Sequence, residues 1–163
     1  MAQRFELSGK VAIVTGAARG IGYATATELA RRGSIVVVVD LDHDAASAAA
    51  SGLPGTAIGL AADVTDRGAM QRVVAEAVER FGGVDVVVAN AGAGHPGSVA
   101  EVDDAGWART FDLNVSASMR LARAAIKEKR QNGSVMPPGL ADALTREEFR
   151  DLVRFLSELG RTK

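Results

Sequence analysis

Short, wholly apolar runs alternate with segments of helical periodicity from Lys10 to Ala89, and few folds accept that pattern. Residues 11–14, 35–39 and 84–89 are rich in valine and isoleucine. They are apolar at successive positions, so both faces of each strand need cover. That is the condition of strands in a parallel sheet with helices on both sides. Residues 57–61 form a shorter run of the same kind. Between the runs lie three helical stretches: residues 20–32, the alanine-rich 44–51, and 66–81. In the last, Met70, Val73, Val74, Ala77, Val78 and Phe81 recur at helical spacing. Gly33, then Gly52, Pro54 and Gly55, then Gly82 and Gly83 stop these helices in turn. Four β-α repeats with right-handed crossovers predict a doubly wound α/β sheet.

Residues 103–129 read as one long helical region with a break near Gly106. Trp107, Phe111, Leu113, Met119, Leu121 and Ile126 are its apolar positions. After Arg130 the character changes. Residues 131–134 are turn-like and Pro137-Pro138-Gly139 is a loop. Thr145 and Glu148 have the spacing of a capping box, which predicts a last helix from Arg146. Phe149, Leu152, Val153, Leu156 and Leu159 make one stripe on it. The expected organisation is a domain of residues 1–130, then a linker and a C-terminal helix packing on it, residues 131–163.

The chain has 163 residues, 47% of them apolar, and a net charge of -1. That suffices for the core of one domain and gives no reason to expect nucleic acid or a membrane as partner. There is no cysteine, which removes disulfides, thiolate metal sites and a cysteine nucleophile. No apolar run reaches the ~18 residues of a spanning helix, and residues 1–10 lack the apolar stretch of a signal peptide. A cytoplasmic protein without a metal site is expected.

Two features carry chemistry. Residues 15–22, Thr-Gly-Ala-Ala-Arg-Gly-Ile-Gly, sit where the first strand becomes the first helix. One glycine there permits a tight turn, another lets the backbone approach a pyrophosphate, and a third lets helix and strand pack closely. The free N–H groups and the positive end of the helix then hold the phosphates. Asp40 ends the second strand, 18 positions after Gly22. That is near the ~20 expected of the acid that binds a ribose 2′-hydroxyl. A carboxylate accepts from the ribose hydroxyls and repels a 2′-phosphate, which favours NAD over NADP. Asp42 and Asp44 nearby read as loop or cap residues. Together these are the marks of a Rossmann-type sheet, of order 3-2-1-4 with room for a stub fifth strand.

On these residues the sequence resembles the classical short-chain dehydrogenase/reductase family, from Leu7 to about Ala125. That family's TGxxxGxG motif corresponds to residues 15–22, so the resemblance implies that Gly16, Ala18, Arg19, Gly20, Ile21 and Gly22 meet the cofactor. Asp63-Val64 matches the pair the family uses around adenine. Asn90-Ala91-Gly92 matches the turn that follows its fourth strand and lines the cofactor cleft. Asn114 matches the helix asparagine that joins the family's proton relay. The implied partner is a nicotinamide dinucleotide, and a homo-oligomer is compatible with the family's habits.

The same resemblance exposes a break. The family works with a serine after the fifth strand and a Tyr-x-x-x-Lys pair on the next helix. This sequence has one tyrosine, Tyr23, followed four places on by Thr27. Gly133-Ser134-Val135 looks like the start of a fifth strand, but Met136-Pro137-Pro138 then stands where strand and catalytic serine are expected. Proline cannot donate to a central ladder. The tail also resembles, more weakly, the end of c-type cytochrome-like domains, in which a methionine placed like Met136 is a haem ligand; here the Cys-x-x-Cys-His attachment is missing, and loop or core packing is the expectation for Met136. His95, in the loop after Gly92, is expected to be an exposed loop residue. Residues 84–89 are expected to form a sheet edge, covered by the tail or paired with another chain. The expected function is an NAD(H)-binding, short-chain-dehydrogenase-like oxidoreductase that transfers hydride poorly. The alternatives are a non-catalytic nucleotide-binding or scaffold domain, and a truncated or chimeric remnant.

Overall fold

In a computed structural model of the chain, residues 6–129 and Thr145 are described. The chain divides into two units, Met1–Asn132 and Gly133–Lys163. Every helix and strand among the described residues belongs to the first unit. The helix expected from Arg146, the linker and Met136 lie outside the described residues.

The element order is β1 (Val11–Thr15), α1 (Gly20–Arg31), β2 (Ile35–Asp40), α2 (His43–Ser51), β3 (Ala57–Ala61), α3 (Arg67–Phe81), β4 (Val86–Val88), α4 (Asp104–Phe111) and α5 (Ala117–Lys129). A π-helical turn, Asp112–Ser116, joins the last two. The four strands make one parallel sheet in the expected order β3-β2-β1-β4. The architecture is Rossmann-like α/β.

Burial explains why the central strands carry no polar alternation. Val11, Ile13, Val37 and Val39 turn to one face, against Met70, Val73 and Val74 of α3 and Leu121 of α5. Val14, Val36 and Val38 turn to the other, against Ala26 and Ala30 of α1 and Ala46, Ala49 and Ala50 of α2. Each face therefore has its own core, and strands β1 and β2 belong to both. Ile13 and Val36 to Val39 are fully buried, and each such side chain contributes about 1.5–3 kcal/mol relative to exposure. The alanine-rich stretch is a packing surface: its small side chains bring α2 close to the sheet.

Two boundaries differ from expectation for local reasons. The fourth strand is three residues long, not six. The paired register runs from Ala12 and Val86 to Val14 and Val88. Just before it the Asp85 N–H donates to the Val11 carbonyl at 2.9 Å, while the Asp85 carboxylate accepts from the Val11 N–H at 3.0 Å and the Lys10 ammonium at 3.2 Å. The long helical region is broken not at Gly106 but at residues 112–116. Gly106 sits in the first turn of α4, where its N–H donates to the capping Asp103 at 2.6 Å. Asp42 and Asp66 cap α2 and α3 in the same way. Among the described residues β4 is an outer strand, half-buried along its length.

Candidate cofactor cleft

The C-terminal ends of β1, β2 and β4 converge on one cleft of about 340 Å³. Its walls include Gly16 and Arg19 after β1, Asp40 and Leu41 after β2, and Asp63 and Val64 after β3. Its floor is Asn90 to Ala93, and Leu113 of the π-turn closes one side. In an open parallel sheet, this crevice beyond the strand ends is where ligands bind.

Thr15 organises the floor. Its side chain is almost fully buried. The hydroxyl accepts from the N–H groups of Asn90 and Ala91, both at 3.1 Å, and donates to the Val88 carbonyl at 3.4 Å. Asn90 answers through its side-chain amide, which donates to the carbonyls of Thr15 at 3.0 Å and Gly16 at 3.1 Å. The turn after β4 is thereby pinned to the turn after β1.

The glycine loop fits that pinning. Gly16 has φ +61°, a left-handed conformation that side-chain-bearing residues rarely adopt. A Cβ on Gly22 would lie 2.2 Å from the Gly16 carbonyl oxygen and 2.6 Å from the Asn90 amide nitrogen, so only glycine lets α1 start here. No side chain among the described residues caps the α1 N-terminus. Its first N–H groups are left for solvent or a ligand, as a phosphate cradle requires. Gly20 and Ile21 stand exposed at that end, with Ile21 80% exposed.

Asp40 faces the same loop. Its carboxylate accepts from the Ala18 N–H at 3.0 Å and from the Leu41 N–H at 2.9 Å. A carboxylate has about four acceptor positions, so two remain for a ligand's hydroxyls. The donor set thus fits a diphosphate at the helix end and a ribose beside β2. Asp63 is exposed, and one of its oxygens accepts from the N–H of Thr65 at 2.8 Å and the hydroxyl of Thr65 at 2.7 Å, forming a tight local turn. Val64 is buried and belongs to the core facing α3.

At the far end, the Asn114 side chain donates to the carbonyls of Ala93 and Thr110, both at 2.8 Å. Its oxygen lies against Gly92, where a Cβ would come within 2.5 Å. Of the residues singled out from the sequence, Gly16, Arg19, Asp40, Asp63, Val64, Asn90, Ala91 and Gly92 line this cleft. Ala18 reaches it through its N–H bond to Asp40, Gly20, Ile21 and Gly22 belong to the start of α1 behind it, and Asn114 lines a neighbouring, more open pocket with Asn90 and Gly92. Tyr23 stands apart, partly buried on α1 and packed against the core that α2 shares. His95 is exposed, with its ring against Gly106. Sequence reasoning passed over Leu41, Ala62, Ala93 and Leu113 as lining residues, and over the part played by Thr15. Only Thr15 carried a signal, as the opening residue of the glycine motif.

No helix among the described residues is long and apolar enough to cross a membrane. Comparison with known proteins is specific. A family model described as short chain dehydrogenase matches residues 10–137. The match extends past Ala125 through Gly133-Ser134-Val135. A sorbitol dehydrogenase of Cereibacter sphaeroides is 37% identical over 118 residues, 72% of this chain and 46% of that protein. The human protein named dehydrogenase/reductase SDR family member 4 is 37% identical over 143 residues, 83% of this chain and 51% of that one. A crystal structure assigned to a short-chain dehydrogenase/reductase of Burkholderia xenovorans superimposes with a TM-score of 0.71 at 35% identity, covering 80% of this chain and 55% of that one. The chain spans about half the length of the curated relatives it matches. None of these findings supports the cytochrome-like reading of the tail.

Proposed function

The chain belongs to the short chain dehydrogenase family, and from that premise we propose that it is an NAD(H)-binding oxidoreductase-type protein that transfers hydride poorly by itself. The observation that carries the cofactor reading is the facing pair of Asp40 and the uncapped start of α1. A diphosphate is held by backbone N–H groups at the helix end. The Asp40 carboxylate takes the adenosine ribose hydroxyls, and its charge opposes a 2′-phosphate. The Ala18 N–H holds that carboxylate in place before any ligand arrives.

A bound nicotinamide dinucleotide supplies the hydride acceptor or donor. The chain's own residues bind and orient it. Asn90, Ala91 and Gly92 set the floor, and Asn114 fixes the segment that follows. The reading of poor hydride transfer rests on the sequence, which contains no Tyr-x-x-x-Lys pair. A phenol near pKa 10 needs a cationic neighbour to work near neutral pH. The one tyrosine, Tyr23, is a partly buried residue of α1 packed against the core and has no lysine four places on. The same observation favours the second reading, a nucleotide-binding domain without turnover.

Fluorescence titration with NADH and NADPH tests the proposal. The chain should bind NADH more tightly than NADPH. Asp40→Ala should weaken NADH binding by roughly tenfold, the worth of a charge-assisted hydrogen bond, and narrow the preference over NADPH. Unchanged affinity and preference in the variant would remove Asp40 from the site. Absence of any binding would remove the cofactor reading altogether.

A further inference from the structure

Arg120 lies outside the cleft yet touches both segments that build its sides. It projects from α5 and is only 23% exposed at the side chain. One guanidinium nitrogen donates to the Thr65 carbonyl at 3.2 Å and to one Asp112 carboxylate oxygen at 3.0 Å. The other nitrogen donates to the second Asp112 oxygen. Such a two-pronged pair with a carboxylate is among the more directional of protein contacts. It holds the Asp112 carboxyl below its ordinary range, chiefly through the hydrogen bond.

Each end of this contact leads into the cleft. Thr65 is held by the Asp63 carboxylate, and Asp63 and Val64 form a wall. Asp112 opens the π-turn that carries Leu113, which lines the cleft, and Asn114, which grips Ala93 on the floor. A π-turn is one extra residue in a helix and commonly marks a functional place. Leu113 packs on the core that contains Ala62 and Val64, and Arg120 adds the directional tie between the π-turn and the loop after β3.

We propose that Arg120 is a positioning residue of the cleft, which ties the Asp63–Thr65 loop to the π-turn bearing Leu113 and Asn114 and so sets the spacing of the two sides. This rests on the dinucleotide reading of the cleft. A ligand that spans both sides depends on their spacing. A ligand that meets only the adenosine side does not, because the loop alone can adjust to it.

The test compares NADH with AMP on the whole chain, by calorimetry, for the wild type, Arg120→Met, Arg120→Lys and Asp112→Asn. Arg120→Met should weaken NADH binding about tenfold and AMP binding by less than about threefold. Arg120→Lys should not restore NADH binding, because one ammonium cannot serve the Thr65 carbonyl and both carboxylate oxygens. Asp112→Asn keeps the shape and should shift NADH affinity in the same sense by a smaller factor; it decides the matter if Arg120→Met does not fold. Equal losses for NADH and AMP, or no loss in folded variants, overturn the inference. No NADH binding by the wild type overturns the cofactor reading and this inference with it.

Discussion

At the scale of single residues, the site depends on two positions where chemistry and space leave no alternative. Gly22 was legible from its place in the glycine motif, although the reason for it is spatial. Any Cβ there runs into the Gly16 carbonyl, which is backbone and cannot rotate away. Gly22→Ala should therefore push α1 off the loop, lower the unfolding midpoint and abolish NADH binding; a stable variant with wild-type affinity would contradict the cradle. Thr15 was legible only as a motif letter. Its partners, Asn90 and Ala91, are 75 and 76 positions away, and no local pattern announces such a contact. Thr15→Val keeps the shape and removes the hydroxyl, leaving the Ala91 N–H of the floor without its acceptor, while the Asn90 N–H keeps only the Val88 carbonyl at 3.1 Å. A loss of about 1–3 kcal/mol in urea unfolding is expected, with a weaker dinucleotide complex. Asp40 differs from both, because the residue type and its distance from Gly22 already indicated its place beside the helix end.

At the scale of elements, the strands and the first three helices follow from apolar runs and glycine stops, with most helix and strand ends within a residue of where the sequence puts them and β4 shortened at both ends. The region from Asp103 to Lys129 was less legible. Its apolar residues lie on two stripes, and periodicity alone does not say which stripe is buried. Leu121 and Ala117 turn to the core, whereas Trp107, Phe111, Met119 and Ile126 remain about half exposed. The π-turn between α4 and α5 changes the phase, and a π-turn has no composition signal. Asp112 and Arg120 meet across it. Because Asp112 titrates below its ordinary value in the folded chain, the pair's contribution is present above the unfolded carboxylate pKa and is lost as pH falls through the depressed one. Unfolding midpoints measured from neutral pH into that acid range should fall in the wild type, and Asp112→Asn should remove part of the fall. An identical acid profile in the variant would show that the pair adds nothing to folding.

At the scale of the whole molecule, the sheet order β3-β2-β1-β4 was legible because the glycine-rich first turn and the acid after the second strand resemble a family whose strands run in that order. That arrangement gathers the ends of β1, β2 and β4 at one crevice, lined by Gly16, Arg19, Asp40, Asp63 and Asn90. The proton-transfer groups of the family are another matter. They stand on segments beyond the fourth strand, and no tyrosine occurs after Tyr23. Binding and turnover should accordingly separate. A chain that orients a nicotinamide without a proton acceptor at the reacting carbon loses the factor of about 10²–10⁴ that general acid–base catalysis contributes. Incubated with NAD and simple secondary alcohols, the protein should form NADH no faster than buffer, under conditions where titration shows the dinucleotide bound. Turnover that persists in Tyr23→Phe would mean that some other group accepts the proton, and the reading of a binding-competent, catalytically poor protein would then fail while the cofactor site stood.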